Sequence, residues 1–283
     1  TIHDYSSEEN LKANPVVRFK IYHGVSRILL QSQDFVSLES YLIETLKSFE
    51  DDRLFDKRNH DTKLQMLTYL CNALFKNDKH QESLEWAEVL LKAMRDFNYE
   101  IYDKYLFYYY NSLYYNYFVT DRPKALKILI EASEDEIIQR EPLNITFIIL
   151  QLAVFYFDDG SYKDSRKQLT QLQLNEGFEK LDSGFRIKMI LLEIMATVEM
   201  DQTDLVEEKI KRLQSDYKQE DWEEIGCIRE QLMVKIIPLL IISRDEKEEE
   251  ALKGLVVELH KLDGRSDLVN FEEWVKRKTG DLF

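Results

Sequence analysis

The sequence predicts an all-α protein made of repeated helical hairpins. Glycine and proline, the residues that most often make tight turns, occur only 8 and 4 times among 283 residues. That is too few for a many-stranded β-protein, but it suits long helices joined by short polar turns. Apolar residues at helical spacing are interrupted by a polar break about every forty residues. With 44% hydrophobic residues, the chain can bury a large core, as one elongated domain or as two compact ones.

The first two copies of the hairpin lie in residues 22–45 and 67–91. Their apolar patterns break at Gln33 and at Asn77, so each copy is expected to be two helices joined by a tight turn. Residues 51–60 form a polar interruption between the copies. The apolar positions of the clearer second copy are Leu67, Leu70, Cys71 and Leu74 before the break and Leu84, Ala87, Leu90 and Leu91 after it.

Later copies follow, with turns predicted at Asp121, Gly160 and Gln202. Helices are then predicted over residues 187–200 and 205–217, and over residues 222–242 and 248–262. Pro238 is expected to kink the helix that contains it, because proline lacks an amide proton and clashes with the preceding turn. An amphipathic segment at residues 268–278 is expected to cover the exposed face of the last hairpin.

The spacing resembles the tetratricopeptide repeat. The copies place large residues on the first helix, then a polar turn, then a small residue on the second helix, such as Ser83 where that repeat usually has alanine. An aromatic residue or histidine follows the turn at Phe35, His80 and Tyr162. The period near forty exceeds the roughly 34 residues of the tetratricopeptide consensus, and no proline closes the unit. The resemblance implies a right-handed superhelix of about six antiparallel helical hairpins with a C-terminal capping helix.

No glycine- or serine-rich linker divides the chain. We therefore expect one tetratricopeptide-like helical repeat domain over residues 15–278. An N-terminal extension, residues 1–14, precedes this domain, and a short C-terminal tail, residues 279–283, follows it.

The net charge of −15, from 38 basic and 53 acidic residues, repels phosphate backbones and anionic membrane surfaces. The densest basic patch is interleaved with acidic residues and is interpreted as a solvated helix face. It consists of Lys209, Lys211, Arg212 and Lys218. The longest apolar stretches, residues 145–155 and 236–242, fall short of the about 18 to 20 residues that cross a bilayer. We expect neither a nucleic acid nor a membrane as partner.

Motifs of catalysis and cofactor binding are absent from the sequence. The five histidines are scattered, and no metal-ligand spacing, phosphate-binding glycine loop or nucleophile-elbow motif occurs. Cys71 and Cys227 each lie in an apolar helical pattern and are expected to be buried thiols. The sequence therefore predicts a protein that is not an enzyme and uses no metal or cofactor. The unpaired cysteines and the lack of an apolar signal segment at residues 1–10 favour a cytoplasmic location.

A tyrosine-rich stretch at residues 99–118 carries more aromatic side chains than one buried stripe can hold. The tetratricopeptide resemblance implies that the second surface of a first helix lines a concave groove. Counting back from the small residue Ala125 places Phe107, Tyr110, Tyr114 and Tyr117 on that groove. The alternative is that these rings pack between neighbouring helices.

Counting in the same way in the two earlier copies gives polar or basic groove positions. They are Lys20, His23, Arg27 and Gln31 in the first copy and Gln65, Thr68, Asn72 and Lys76 in the second. Such side chains can bind a peptide backbone or an acidic side chain. We expect Arg27 or Lys76 to orient an acidic group of a partner beside tyrosine anchors.

The predicted function is a non-catalytic scaffold or adaptor that binds a protein or peptide on the concave face. One alternative is a peptide-sensing domain of a larger signalling or transcription regulator, as in bacterial peptide-sensing regulators of tetratricopeptide type. Another is a module that positions substrates in an enzyme complex. The sequence predicts no oligomeric state.

Overall fold

The structure, a computed structural model, describes residues 14–264 and 266–280. All regular secondary structure in these residues is helical, which confirms the predicted all-α class. The chain divides into two compact units, one up to Ile138 and one from Gln139. Of the predicted domain boundaries, the one at residue 14 adjoins residues outside the described part of the chain, and the last helix ends at Thr279.

Unit 1 contains three helical hairpins, each made of a first helix and a second helix that pack against each other. The helices are α1 (Pro15–Gln31) with α2 (Phe35–Asp51), α3 (His60–Lys76) with α4 (His80–Met94), and α5 (Tyr102–Thr120) with α6 (Arg122–Glu134). The polar interruption predicted at residues 51–60 separates α2 from α3. A short helix, α7 (Glu136–Arg140), lies where the two units divide.

Unit 2 repeats the arrangement with three further hairpins and one last helix. The hairpins are α8 (Pro142–Asp158) with α9 (Tyr162–Gln173), α10 (Ser183–Glu199) with α11 (Thr203–Asp216), and α12 (Ile228–Ile241) with α13 (Glu246–His260). The last helix, α14 (Phe271–Thr279), packs on α12 and α13. The described residues thus contain the six hairpins and the capping helix that the sequence predicts.

Four hairpins share one turn geometry. Each of these turns has three residues, and the middle one adopts a left-handed φ of 54° to 77°. The middle residues are Gln33, Asp78, Gly160 and Asp201. In each turn the next amide donates to a carbonyl five residues back, as from Lys79 to Leu74 at 2.9 Å, which closes the helix end. Because the turn is set by this backbone geometry, it recurs at the predicted places although only one of the four residues is glycine.

The small residue inside the hairpin is a serine in two copies. Ser83 and Ser165 are fully buried and donate hydrogen bonds to the carbonyls of Cys71 and Ala153, at 2.8 and 2.7 Å. The serine hydroxyl therefore ties the second helix to the backbone of the first, which alanine at this position could not do. Leu70 lies in the same interior and is fully buried, as predicted.

The end of unit 2 is fastened by Arg229, whose guanidinium is almost wholly buried. It donates to Asp267 at 2.8 Å and Glu272 at 2.7 Å, and to the carbonyls of Leu259 and Leu262 at 2.7 and 2.8 Å. These bonds tie α12 to the segment that leads into α14. The predicted capping segment is therefore held by a buried ion pair as well as by its apolar face.

Two local features differ from the sequence prediction. The helix predicted from residue 222 begins at Ile228, because the Asp221 carboxylate caps a separate turn and Gly226 adopts a φ of 70°. Between α4 and α5, Phe97 and Tyr99 belong to three consecutive residues with left-handed φ, none of them glycine.

No described helix is long and apolar enough to span a bilayer.

Candidate functional site

The first helices of the three hairpins in unit 1 share an accessible side, which we call the first-helix face. Side chains of α1 and α3 line one cavity of about 280 Å³. Side chains of α3 and α5 meet at the rings of Phe75 and Tyr115, whose centroids lie 5.7 Å apart. The face comprises Lys20, His23, Arg27, Gln31, Gln65, Tyr69, Asn72, Lys76, Tyr108 and Tyr115.

The structure brings together most of the polar positions predicted for the groove. His23, Arg27 and Gln31 follow one another along α1, and Gln65 faces them from α3 across the cavity. Lys20 is exposed on α1 outside the cavity lining. The predicted register of α1 and α3 therefore agrees with the structure, although the binding role of these residues stays a prediction.

Asn72 and Lys76 are exposed further along α3. The Lys76 ammonium lies 5.6 Å from the centroid of its neighbour Phe75. Thr68, also predicted for the groove, uses its hydroxyl to donate to the carbonyl of Leu64 at 2.9 Å.

The predicted aromatic positions on α5 need a correction. Tyr114 exposes only 4% of its surface and lies in the core, whereas its neighbour Tyr115 exposes 43% and Tyr108 exposes 44%. The rings that accompany Asn72 on the first-helix face are therefore those of Tyr108 and Tyr115. The α5–α6 connection consists of Asp121 alone, while the α3–α4 turn has three residues, so an interval taken from the α3–α4 hairpin does not carry over to α5. Counting back from the second helix by the α3–α4 interval misses by one residue.

The other predicted rings point toward neighbouring helices. The Tyr110 hydroxyl lies 3.4 Å from the Asp135 carboxylate, and burial together with that carboxylate raises the pKa of Tyr110 to about 12. The Tyr117 hydroxyl accepts a hydrogen bond from Lys124 at 2.7 Å. Phe107 is half-buried, with its ring 5.6 Å from that of Tyr108. The packing interpretation therefore applies to Tyr110, Tyr114 and Tyr117, and the groove interpretation stays a prediction.

The first helices carry few acidic residues although the chain has a net charge of −15. α1 contains none. The acidic residues of α3 and α5 are Asp61 and Asp103, and each lies in the first turn of its helix. The remainder of the first-helix face therefore has a local charge opposite to that of the whole chain.

The cations on this face lack carboxylate partners within the described residues. Neither Arg27 nor Lys76 lies within ion-pair distance of a described carboxylate. Arg18, on another side of α1, instead bridges to Asp52 at 2.6 Å. An unpaired surface guanidinium remains available to an acidic group of a partner.

A second cavity, of about 790 Å³, lies between α4, α5 and α6. Glu82, Glu85 and Glu88 line it from α4, opposite Lys124 and the Tyr117 ring. Sequence reasoning assigned Tyr117 to the groove and did not foresee this acidic cavity. The cavity depends on the spacing of three helices, which no single segment specifies.

Neither thiol is available for chemistry in this structure. Cys71 and Cys227 are buried, as predicted, and burial raises the pKa of each to about 12. A thiol with so high a pKa is not ionised near neutral pH and is a poor nucleophile. In the described part of the chain, no three histidine, cysteine or acidic side chains converge as a metal site.

Comparison with known proteins gives a structural match but no sequence match. No protein-family model and no curated protein matches the chain. Among solved structures, it is similar to the crystal structure of the apo form of RapI, with a TM-score of 0.69 and 14% sequence identity. The chain has a tetratricopeptide-like helical-repeat fold. The match covers 88% of this chain and 65% of the RapI chain, so this chain spans less than two thirds of the length of RapI.

Proposed function

We propose that the chain is a non-catalytic binding protein that holds a segment of a partner protein, or a peptide, on the first-helix face. The observation that carries the proposal is the combination of two half-exposed tyrosines on α5, Tyr108 and Tyr115, with the unpaired cations Arg27 on α1 and Lys76 on α3. Tyrosine supplies a large rigid apolar area with a hydroxyl at its tip, and such rings often dominate binding energy. Both rings contact other aromatic rings, Tyr115 that of Phe75 at 5.7 Å and Tyr108 that of Phe107 at 5.6 Å, and nearly half of each side chain is nevertheless exposed.

The dimensions of the face set the length of the bound segment. Adjacent packed helices lie about 8–10 Å apart, so the three first helices span roughly 20 Å. An extended chain rises about 3.3 Å per residue and needs about six residues to cross them. The polar groups at the α1 side and the rings at the α5 side favour a segment with an acidic and an apolar end.

A second candidate function is that of a peptide-sensing domain in a larger protein. One observation favours it: the matched RapI structure is described as an apo form, which implies that RapI also has a liganded form. If this chain is part of a longer protein, binding on the first-helix face could regulate the remainder. The adaptor and the sensor share the same binding face and differ in what the bound segment controls.

The proposal is tested by selecting random twelve-residue peptides on the immobilised chain and rejecting those that also bind the Tyr108→Ala/Tyr115→Ala double variant. We expect the surviving peptides to protect amides of α1, α3 and α5 from hydrogen exchange. Tyr99→Ala serves as the matched control, because Tyr99 is 56% exposed and lies outside the first-helix face. A selection that leaves no peptide after this rejection, or peptides that protect α2, α4 and α6 instead, would contradict the proposal.

A further inference from the structure

A cluster of charged side chains is buried in unit 2, where α10 and α12 meet the C-terminal segment, residues 266–279, which ends in α14. Arg229 and Glu230, consecutive residues of α12, are both buried. Lys188 reaches the cluster from α10, and Asp267 joins it from the C-terminal segment. Charged groups are almost never buried unless they are paired, so the pairing inside the cluster decides how firmly the segment is held.

Glu230 is a poorly paired carboxylate of this cluster. The ammonium nitrogen of Lys188 lies 3.6 Å from its Oε1, which is longer than a hydrogen bond. The same ammonium donates at 2.8 Å to the carbonyl of Ser266 in the C-terminal segment. Asp267, by contrast, accepts a hydrogen bond from Arg229 at 2.8 Å. Lys188 is therefore bound more closely to the segment than to Glu230.

The described residues of the cluster also carry an unbalanced charge. Three carboxylates face two cations, and these groups are Glu230, Asp267, Glu272, Lys188 and Arg229. Of the three carboxylates, that of Glu230 is the most deeply buried, with 1% of its side chain exposed. Burial raises the pKa of Glu230, and the charge of Lys188 offsets this only in part. One proton on Glu230 balances the charge of the cluster.

We propose that Glu230 is a proton switch that controls how tightly the C-terminal segment docks on α12 and α13. With Glu230 neutral, the Lys188 ammonium stays with the Ser266 carbonyl and holds the segment. With Glu230 ionised, its charge draws this ammonium away from Ser266 and repels the Asp267 carboxylate of the same segment. Ionisation therefore loosens the segment, and its opening uncovers the apolar side of α14.

The direction of the pH dependence follows from the two states of the segment. When the segment is open, Glu230 is hydrated and titrates near its ordinary pKa of about 4.5, whereas burial in the docked state raises that pKa. The docked state therefore binds the proton more tightly, and docking weakens as the pH rises from about 4.5 to the raised pKa. Three further titratable groups face the cluster: Asp267, the Cys227 thiol on α12 and, beside Glu272, His260 of α13. Burial raises the pKa of Cys227 to about 12, so this thiol stays protonated throughout.

The experiment measures hydrogen exchange of the α14 amides between about pH 4.5 and 7.5, with each rate divided by the intrinsic rate at that pH. One linked proton changes an equilibrium by at most about tenfold per pH unit, and we expect α14 protection in the wild type to fall by about tenfold across this range. Glu230→Gln mimics the protonated state and should lose more than half of that logarithmic change. The remainder belongs to Asp267, whose pKa burial also raises. Two matched controls should keep the whole change: Glu250→Gln at an exposed position of α13, and His260→Gln.

A second measurement follows the side-chain carboxyl carbon of Glu230 by ¹³C NMR in the wild type, and it decides the question even where Glu230→Gln does not fold. The titration midpoint should lie above about 4.5, and the loss of α14 protection should end at that midpoint. A midpoint at or below about 4.5, or wild-type protection that does not change with pH, would overturn the inference. So would a Glu230→Gln protein that retains more than half of the change. Loss of the change in His260→Gln would also overturn it and assign the effect to the histidine.

Discussion

Tyr114 and Tyr115 are neighbours on α5 that differ in burial, and replacing each by alanine separates packing from the proposed binding role. Tyr114 is 4% exposed, with its ring 5.6 Å from that of Phe118, whereas Tyr115 is 43% exposed. A fully covered tyrosine buries roughly 150–250 Å². At about 25 cal/mol per Å², this area contributes at most about 4–6 kcal/mol.

We expect Tyr114→Ala to lower the free energy of unfolding of unit 1 by about 3–5 kcal/mol, as is usual for truncating a buried aromatic ring. Tyr115→Ala removes a little more than half as much buried area and should cost at most about 3 kcal/mol. The order reverses for binding. Tyr115→Ala should weaken a peptide selected on the first-helix face by about 2 kcal/mol, whereas the folded fraction of Tyr114→Ala should retain the affinity.

The stability assay is native-state hydrogen exchange read at amides of α3 and α5, because the two units of the chain need not unfold together. Peptide affinity is measured on the same samples. Equal stability losses in the two variants, or a larger loss in Tyr115→Ala, would refute the assignment of α5 faces. A Tyr114→Ala protein that is fully stable and fails to bind would instead restore the register predicted from the sequence.

Two further predictions concern stability. Burial lowers the pKa of His60, which packs on Phe97 with ring centroids 4.9 Å apart. As the pH falls, this histidine is therefore protonated in the unfolded chain before it is protonated in the folded chain. The stability that is present above about pH 6.5 is lost as the pH falls below that value. Urea midpoints between pH 7.5 and 5.5 should show this loss in the wild type and in the exposed control His23→Gln, but not in His60→Phe. Arg229→Met leaves the buried Asp267 carboxylate unpaired and should destabilise unit 2 by about 3–5 kcal/mol, measured by thermal unfolding and exchange of α14. The exposed pair of Arg212 with Asp216 provides the control Arg212→Met, expected within about 0.5 kcal/mol, and equal losses would contradict a fastening role for Arg229.

The repeat was predictable from the sequence because its signal is local. The break at Asn77 and the small residue Ser83 mark a turn and a close helix contact within one short stretch, and the helix class follows from periodicity alone. The α5 register was not predictable in the same way. It depends on how many residues connect α5 to α6, and the single-residue turn at Asp121 shortens that connection without any change in composition.

The cavity between α1 and α3 and the left-handed turn were beyond sequence reasoning for different reasons. Ser26 has the spacing of an ordinary interior residue of α1, and only the distance between α1 and α3 places it beside a cavity. The turn through Phe97 and Tyr99 has left-handed φ at residues that rarely adopt it. A pattern of residue types does not reveal a conformation that those types disfavour.

The hydrogen bonds that join neighbouring repeats also bear on how the chain folds during synthesis. Asn77 contacts the Phe35 carbonyl 42 residues earlier, and Asn116 contacts Ser83 33 residues earlier. Contacts this local require only short loops to close, and ribosomes add roughly 5–20 residues per second. Each hairpin of unit 1 can therefore dock within seconds of its emergence. In unit 2 the contact of Lys278 with Glu199 spans 79 residues, so α10 gains this contact only after all three hairpins of the unit have emerged, and until then this side of α10 remains exposed to proteases and chaperones.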